Sequence, residues 1–224
     1  LAPDRFHVTT TTGGAARVLN MMEDYLQTEW PDLQVWLTST TEQWAVIAVQ
    51  GPKAREIIAP FVEGMDMSNE AFPHMSVREC TFMGVPCRLF RMTFAGELGF
   101  EINVPANYGK AVWDALFAHG APMGLTPYGT EAMHILRAEK GYIIVGQDTD
   151  GTVTPQDAGL SWAIAKSKPD FVGIRGLKRV DLVAEGRKQL VGLKTKDPKT
   201  VLEEGAQIVL DPNQQIPMKM VGHV

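Results

Sequence analysis

Residues 91–101 read RMTFAGELGFE. A β-rich run breaks at Gly96, presents one carboxylate at Glu97, passes Gly99 and resumes as a strand toward Val104. Glycine on both sides of an acid lets the backbone bend tightly and lets a ligand come close. An ionised carboxylate only accepts hydrogen bonds, so an acid on such a bend suits the edge of a flat, N–H-rich ring. The same residues also describe a hairpin turn with a solvated glutamate. On the local sequence alone that plainer reading is favoured, because short motifs often match by chance.

Other reactive residue types are sparse. The helix expected over 127–140 carries Glu131, His134, Arg137, Glu139 and Lys140. A lone helical histidine is more often partly buried than a ligand. No second His, Cys or carboxylate stands at metal-site spacing, so no metal is expected. Arg137, beside Leu136, is either a structural ion-pair partner or a carboxylate clamp. Gly13-Gly14 stands where a strand should pass into a helix and could cradle a phosphate. It lacks the G-x-G-x-x-G spacing and the P-loop lysine, so a structural break is preferred. The only cysteines, Cys80 and Cys87, flank Met83-Gly84. If that pair closes a two-residue hairpin, the cysteines face each other across the ladder. A cross-strand disulfide is then possible, and two buried thiols in a reducing cytoplasm are the preferred reading. There is no G-x-S-x-G elbow, no C-x-x-C and no repeat period.

These residues must be positioned by a chain of 224 residues, 45% hydrophobic and 21% charged, an ordinary globular composition. The net charge of −5 argues against a nucleic-acid surface. No apolar run of about 18 residues exists to span a membrane. Residues 1–30 read as strand and helix, so no signal peptide is expected. The chain opens at Leu1 and stops at a strand-like Met218–Val224, so a piece of a longer polypeptide is expected.

Residues 5–12 read as a strand, broken by Gly13-Gly14. Ala15, Val18, Leu19, Met22, Tyr25 and Leu26 then recur at helical spacing up to Trp30-Pro31. Strands are expected at 33–39 and 43–50, then a helix from Gly51-Pro52 to about Ile58, then strands at 75–82 and 85–94. Through Phe82 the order is βαββαβ, the ferredoxin-like arrangement, with helices on one face of an antiparallel sheet. A strand at 98–104 and helices at 107–119 and 127–140 follow. Two short strands are expected within 142–165, then strands at 188–195, 206–210 and 217–224. The class is α+β. The domains expected are 1–186 and a second, incomplete β-barrel domain opening at 187–224.

Several segments together resemble a known family. They are residues 94–102 (FAGELGFEI), 136–141 (LRAEKG), 145–148 (VGQD), 154–162 (TPQDAGLSW) and 171–173 (FVG). In this order and spacing they look like the aminomethyltransferase, or glycine-cleavage T-protein, family. Residues 9–17, 27–32, 140–150 and 218–224 bring the likeness nearest to alpha subunits of heterotetrameric sarcosine oxidases. The resemblance covers essentially the whole chain and implies a tetrahydrofolate-binding domain. The family's glutamate on the Gly-Glu-x-Gly bend, which bonds the pterin, would be Glu97. The family's tyrosine two residues before that glycine is Phe94 here, which keeps stacking and loses a phenol. Trp162 matches a family aromatic near the folate, and a core tryptophan is the alternative. Arg137 falls on the family's Leu-Arg-x-Glu position. T-proteins carry Arg-Asp where this chain has Met133-His134, which puts a folate contact there in doubt.

The family's key aspartate lies before residue 1, so the resemblance places no catalytic residue in this stretch and implies that the fragment alone is inactive. It also implies FAD, FMN and NAD elsewhere in a hetero-oligomeric complex. The reaction implied is oxidative demethylation of sarcosine, with transfer of the one-carbon unit to tetrahydrofolate. The products are glycine, hydrogen peroxide and 5,10-methylenetetrahydrofolate. A free aminomethyltransferase, a dimethylglycine dehydrogenase domain or a non-catalytic interaction module with a degenerate folate pocket are the alternatives.

Overall fold

The structure, a computed structural model, describes residues 1–224 apart from the side chain of Thr12. The chain divides into two compact units, 1–140 and 141–224. The composition-based boundary at 186 falls inside the second unit.

The first unit is built on a five-stranded sheet. Its strands are β1 (Trp44–Gln50), β2 (Val62–Glu63), β3 (Ser76–Phe82), β4 (Val85–Arg91) and β5 (Gly99–Pro105). Their order is β1-β5-β4-β3-β2, with every neighbouring pair antiparallel. The helices are α1 (Ala15–Thr28), α2 (Ala54–Ile58), α3 (Gly109–Gly120) and α4 (Thr130–Lys140). The mixed α/β class with an antiparallel sheet is thus as expected from sequence.

Alternation explains the sheet. Ile47 and Val49 of β1, Phe100, Ile102 and Val104 of β5, and Leu89 and Cys87 of β4 point to one face. Ala54, Ile57 and Ile58 of α2 and Val112 and Leu116 of α3 cover that face. Phe72 stacks on Phe100 with centroids 5.9 Å apart. Burying one such phenylalanine is worth about 1.5–3 kcal/mol. Between β3 and β4, Met83 and Gly84 both take positive φ, 54° and 74°. That is the two-residue hairpin expected from sequence, and it sets Cys80 opposite Cys87.

Five expected strands are absent. Residues 5–12 and 33–39, counted toward the βαββαβ order, form no strand of the sheet. Leu33, Val35 and Trp36 are exposed. Alternation marks a chain that could pair, but a strand exists only where a ladder partner is supplied, and β1 takes β5. In 142–165, Asp148 accepts from the Ile144 N–H at 2.7 Å and Asp150 from the Thr152 N–H at 2.7 Å. Such local side-chain bonds divert the backbone into turns. In 188–195 the Leu190 N–H goes to the Asp157 carbonyl instead of a strand.

The second unit contains β6 (Gln207–Val209) and β7 (Met220–His223), paired antiparallel. No closed barrel forms among the described residues. Its most buried polar residues are Thr154 and Asp157. Asp157 accepts from the Thr154 N–H at 2.9 Å, and the Thr154 hydroxyl accepts from the Asp157 N–H at 3.1 Å. Arg187 donates to both Asp157 oxygens through Nε at 3.2 and 3.1 Å and again through Nη2 at 2.5 Å. Gln189 adds a bond at 3.0 Å. Arg187 foremost, and Thr154 with it, hold the Asp157 carboxyl far below the usual carboxylate range.

Candidate functional site: a carboxylate on a braced bend

Between β4 and β5 the chain bends through residues 94–98. Two glycines make the bend possible for different reasons. Gly96 has φ +85°, a left-handed conformation that side chains disfavour. A Cβ there would also lie 2.5 Å from Cγ of Lys140, so the stem of that lysine crosses the glycine. Gly99 is held by proximity: a Cβ would lie 2.6 Å from the Met92 carbonyl oxygen.

The bend is braced from β1. Oε1 of Gln50 accepts from the Thr93 hydroxyl and from the Ala95 N–H, both at 3.1 Å. Thr93 Oγ1 in turn accepts from the Gly96 N–H at 3.1 Å, and the Gly51 N–H reaches the Leu98 carbonyl at 2.8 Å. Ala95 is buried, whereas Glu97 is exposed. Among the described residues no hydrogen bond or ion pair is made to the Glu97 carboxylate. The result is a fixed backbone that presents an uncommitted acceptor to its surroundings.

Phe94 is half-buried on the same bend, and α4 carries Arg137 one turn before Lys140. Arg137 is 7% exposed and, like Phe94, has a partner. Burial suits a structural cation at least as well as a clamp for an external carboxylate. The fold therefore brings Glu97, Phe94 and Arg137 into one unit. Trp162 belongs to the second unit, where its ring is 76% exposed, so it is not a core tryptophan there.

Sequence reasoning missed the brace and the cavity beside it. Gln50 also lines a cavity of about 290 Å³ whose walls include Val46, Trp113, Phe117, Tyr128 and Met133. Met133 of that wall stands where the resemblance to T-proteins leads one to expect arginine. Near it, burial pushes the Glu101 carboxyl up, and burial together with the Glu101 charge pushes the Tyr128 phenol up. Only the Gln50-Gly51-Pro52 junction hinted at this, because a strand ending in a turn signal leaves its last polar side chain free to cap a neighbour.

Among the described residues no helix is long and apolar enough to cross a membrane. Among the described residues no group of three or more His, Cys, Asp or Glu could hold a metal ion.

Comparison with known proteins follows the same residues. Residues 1–168 match the family described as the GCVT N-terminal domain. The chain is 53% identical to the sarcosine oxidase subunit alpha of Corynebacterium sp. (strain P-1), over 94% of this chain and 22% of that protein. It is 35% identical to the aminomethyltransferase of Chlorobaculum parvum (strain DSM 263 / NCIMB 8327), over 70% of this chain and 42% of that protein. One chain of a solved heterotetrameric sarcosine oxidase from Corynebacterium sp. U-96, in complex with pyrrole 2-carboxylate, is similar at TM-score 0.39. That likeness has 16% identity, covers 47% of this chain and 52% of the other, and is too slight to carry an argument. The chain thus spans about a fifth of the sarcosine oxidase subunits it matches. With the matched segment covering three quarters of its length, the chain belongs to the GCVT N-terminal domain family.

Proposed function

We propose that this chain is the folate-binding part of a sarcosine oxidase alpha-type protein, and that Glu97 anchors the pterin ring. The observation that carries the reading is the braced bend: a carboxylate with no internal partner on a backbone fixed by Gln50 and Thr93. The donor chemistry fits. A pterin edge offers a ring N–H and an exocyclic amine, and a carboxylate accepts both as a charge-assisted pair. Because the backbone is fixed beforehand, little ordering free energy is lost when the ring arrives.

Phe94 would stack on the ring. Arg137 would either hold the folate's carboxylate tail or, from its buried position, support α4. The apolar, aromatic-walled cavity that adjoins the bend through Gln50 suits a flat ring better than a polar chain. A bound tetrahydrofolate would supply the nucleophilic nitrogens that accept a one-carbon unit. This chain's part is to orient the ring and keep that region apolar, so that the two reactants meet in one geometry. The proton chemistry, the flavins and the nicotinamide nucleotide belong to other parts of the complex, with the remaining subunits as partners.

In this reading sarcosine is oxidised elsewhere in the complex to an imine, which is then captured as the one-carbon unit of 5,10-methylenetetrahydrofolate, leaving glycine. The test is a product assay on the full-length protein assembled with its partner subunits. Sarcosine turnover with tetrahydrofolate present should replace free formaldehyde by 5,10-methylenetetrahydrofolate. Formaldehyde released in full, whatever the folate concentration, would contradict the reading. Methylene-transfer activity with an aminomethylated protein donor instead of sarcosine would favour an aminomethyltransferase.

A further inference from the structure

We propose that Cys80 and Cys87 form a reversible dithiol–disulfide couple on the β3–β4 hairpin, loaded by a hydroperoxide with Cys80 as the attacked thiol and Cys87 as its resolving partner. The proposal is independent of the folate reading.

The turn fixes the geometry. With Met83 and Gly84 both at positive φ, the loop has the two-residue form in which Phe82 and Val85 exchange hydrogen bonds. Pairs then alternate along the ladder. Thr81–Pro86 is a non-hydrogen-bonded pair, which suits a proline that has no N–H. Cys80–Cys87 is the next hydrogen-bonded pair. Opposed Cα atoms in such a pair lie about 5.5 Å apart, within the roughly 4.4–6.8 Å that a disulfide spans. Opposed Cβ atoms lie about 4.5–5.5 Å apart, wider than the mean of about 3.8 Å in a disulfide. The bond therefore closes only by drawing the strands together locally, and a bond closed against such resistance is the kind that reductants reopen.

The register puts the two side chains opposite each other on one face of the hairpin. The neighbouring Cys87 thiol holds Cys80 below the ordinary thiol value, while Cys80 and burial push Cys87 up. Cys80 is also the accessible member, half-buried where Cys87 is 3% exposed. The chain has no other cysteine to compete.

The step balances. The Cys80 sulfur attacks one peroxide oxygen, the O–O bond breaks, and the leaving oxygen takes the thiol proton and departs as water or an alcohol. Cys80 is then a sulfenic acid. The Cys87 sulfur attacks the Cys80 sulfur, the S–O bond breaks, and the Cys87 proton leaves with the hydroxide as water. Two electrons pass from the thiol pair to the peroxide, which is the species reduced.

The test is peptide mapping of the full-length protein treated with hydrogen peroxide and quenched with N-ethylmaleimide. Trypsin cleaves after Arg78 and Arg88, so both cysteines leave in one peptide, Glu79–Arg88. The expected peptide is two hydrogens lighter than the dithiol and carries no maleimide, and dithiothreitol restores two maleimides. Oxidation of Met83 in the same peptide adds an oxygen and leaves both thiols labelled, so it is told apart. In Cys87→Ala, dimedone should trap a sulfenic acid on Cys80. In Cys80→Ala, Cys87 should stay a thiol. Two maleimides retained at every peroxide dose, or Cys80 carried to sulfinic acid with no bridged peptide, would overturn the proposal. The wild-type map reads out even if a variant fails to fold.

Discussion

Glu97 and Asp157 are both carboxylates on glycine- or proline-marked turns, and the structure treats them in opposite ways. Asp157 is 5% exposed and receives donors from Thr154, Arg187 and Gln189. Its acceptor capacity is used up internally, and it ties the 154–157 turn to the 187–190 segment. Glu97 is exposed, and the bonds around it all go to the backbone beneath it, through Gln50 and Thr93. A carboxylate whose bonds are all internal holds the chain together. One whose support is complete while its own oxygens are unused is placed for something outside the chain.

The comparison can be broken at its supports, and the largest effect is expected at Gly99. Gly99→Ala puts a Cβ against the Met92 carbonyl, which cannot yield as a side chain could, and should destabilise the first unit by about 3 kcal/mol in chemical denaturation. Asp157→Asn should come next, at about 2 kcal/mol, the cost of weakened charge-assisted bonds. Hydrogen exchange should show it as faster exchange at the Leu190 amide, which bonds the Asp157 carbonyl.

The same residue sets a pH dependence. Its folded value is depressed, so its stabilisation is complete above the ordinary carboxylate range and is lost as pH falls through the lower folded value. Between about pH 5 and pH 2 the wild type should lose protection at that amide more steeply than Asp157→Asn. Equal slopes would show that Asp157 is not the titrating group. Gly84→Ala sharpens the contrast with Gly99: nothing lies within 4 Å of a Cβ there, so only the left-handed backbone is penalised, by about 1 kcal/mol. The smallest change in stability is expected for Glu97→Gln, under about 0.5 kcal/mol, as for an exposed side chain with no partner. A larger loss in the melting curve would give Glu97 a structural role and dissolve the distinction from Asp157.

The sheet was legible because its signals are local. Apolar, β-branched and aromatic runs bounded by turn residues marked β1, β3, β4 and β5, and Met83-Gly84 marked the hairpin that pairs Cys80 with Cys87. Trp30-Pro31 marked the end of α1, which stops at Thr28. The glycine-flanked bend that carries Glu97 was legible too, since an acid between two glycines is visible without a fold. The failures share one cause. Residues 33–39 carry a strand-like apolar run as β1 does, yet pairing depends on which edge is available, and that is a property of the whole sheet. The segment 188–195 lost its strand to Asp157, some thirty positions earlier, through a bond that no spacing announces. Gln50 was missed for the same reason: it braces a bend more than forty residues on.

The central claim is that Glu97 holds the pterin ring, and calorimetric titration of the full-length protein with tetrahydrofolate tests it most directly. Glu97→Gln should bind more weakly by about 1–3 kcal/mol, the loss of a charge-assisted pair, while its melting curve stays with the wild type. Equal affinity for the two proteins would remove Glu97 from the site.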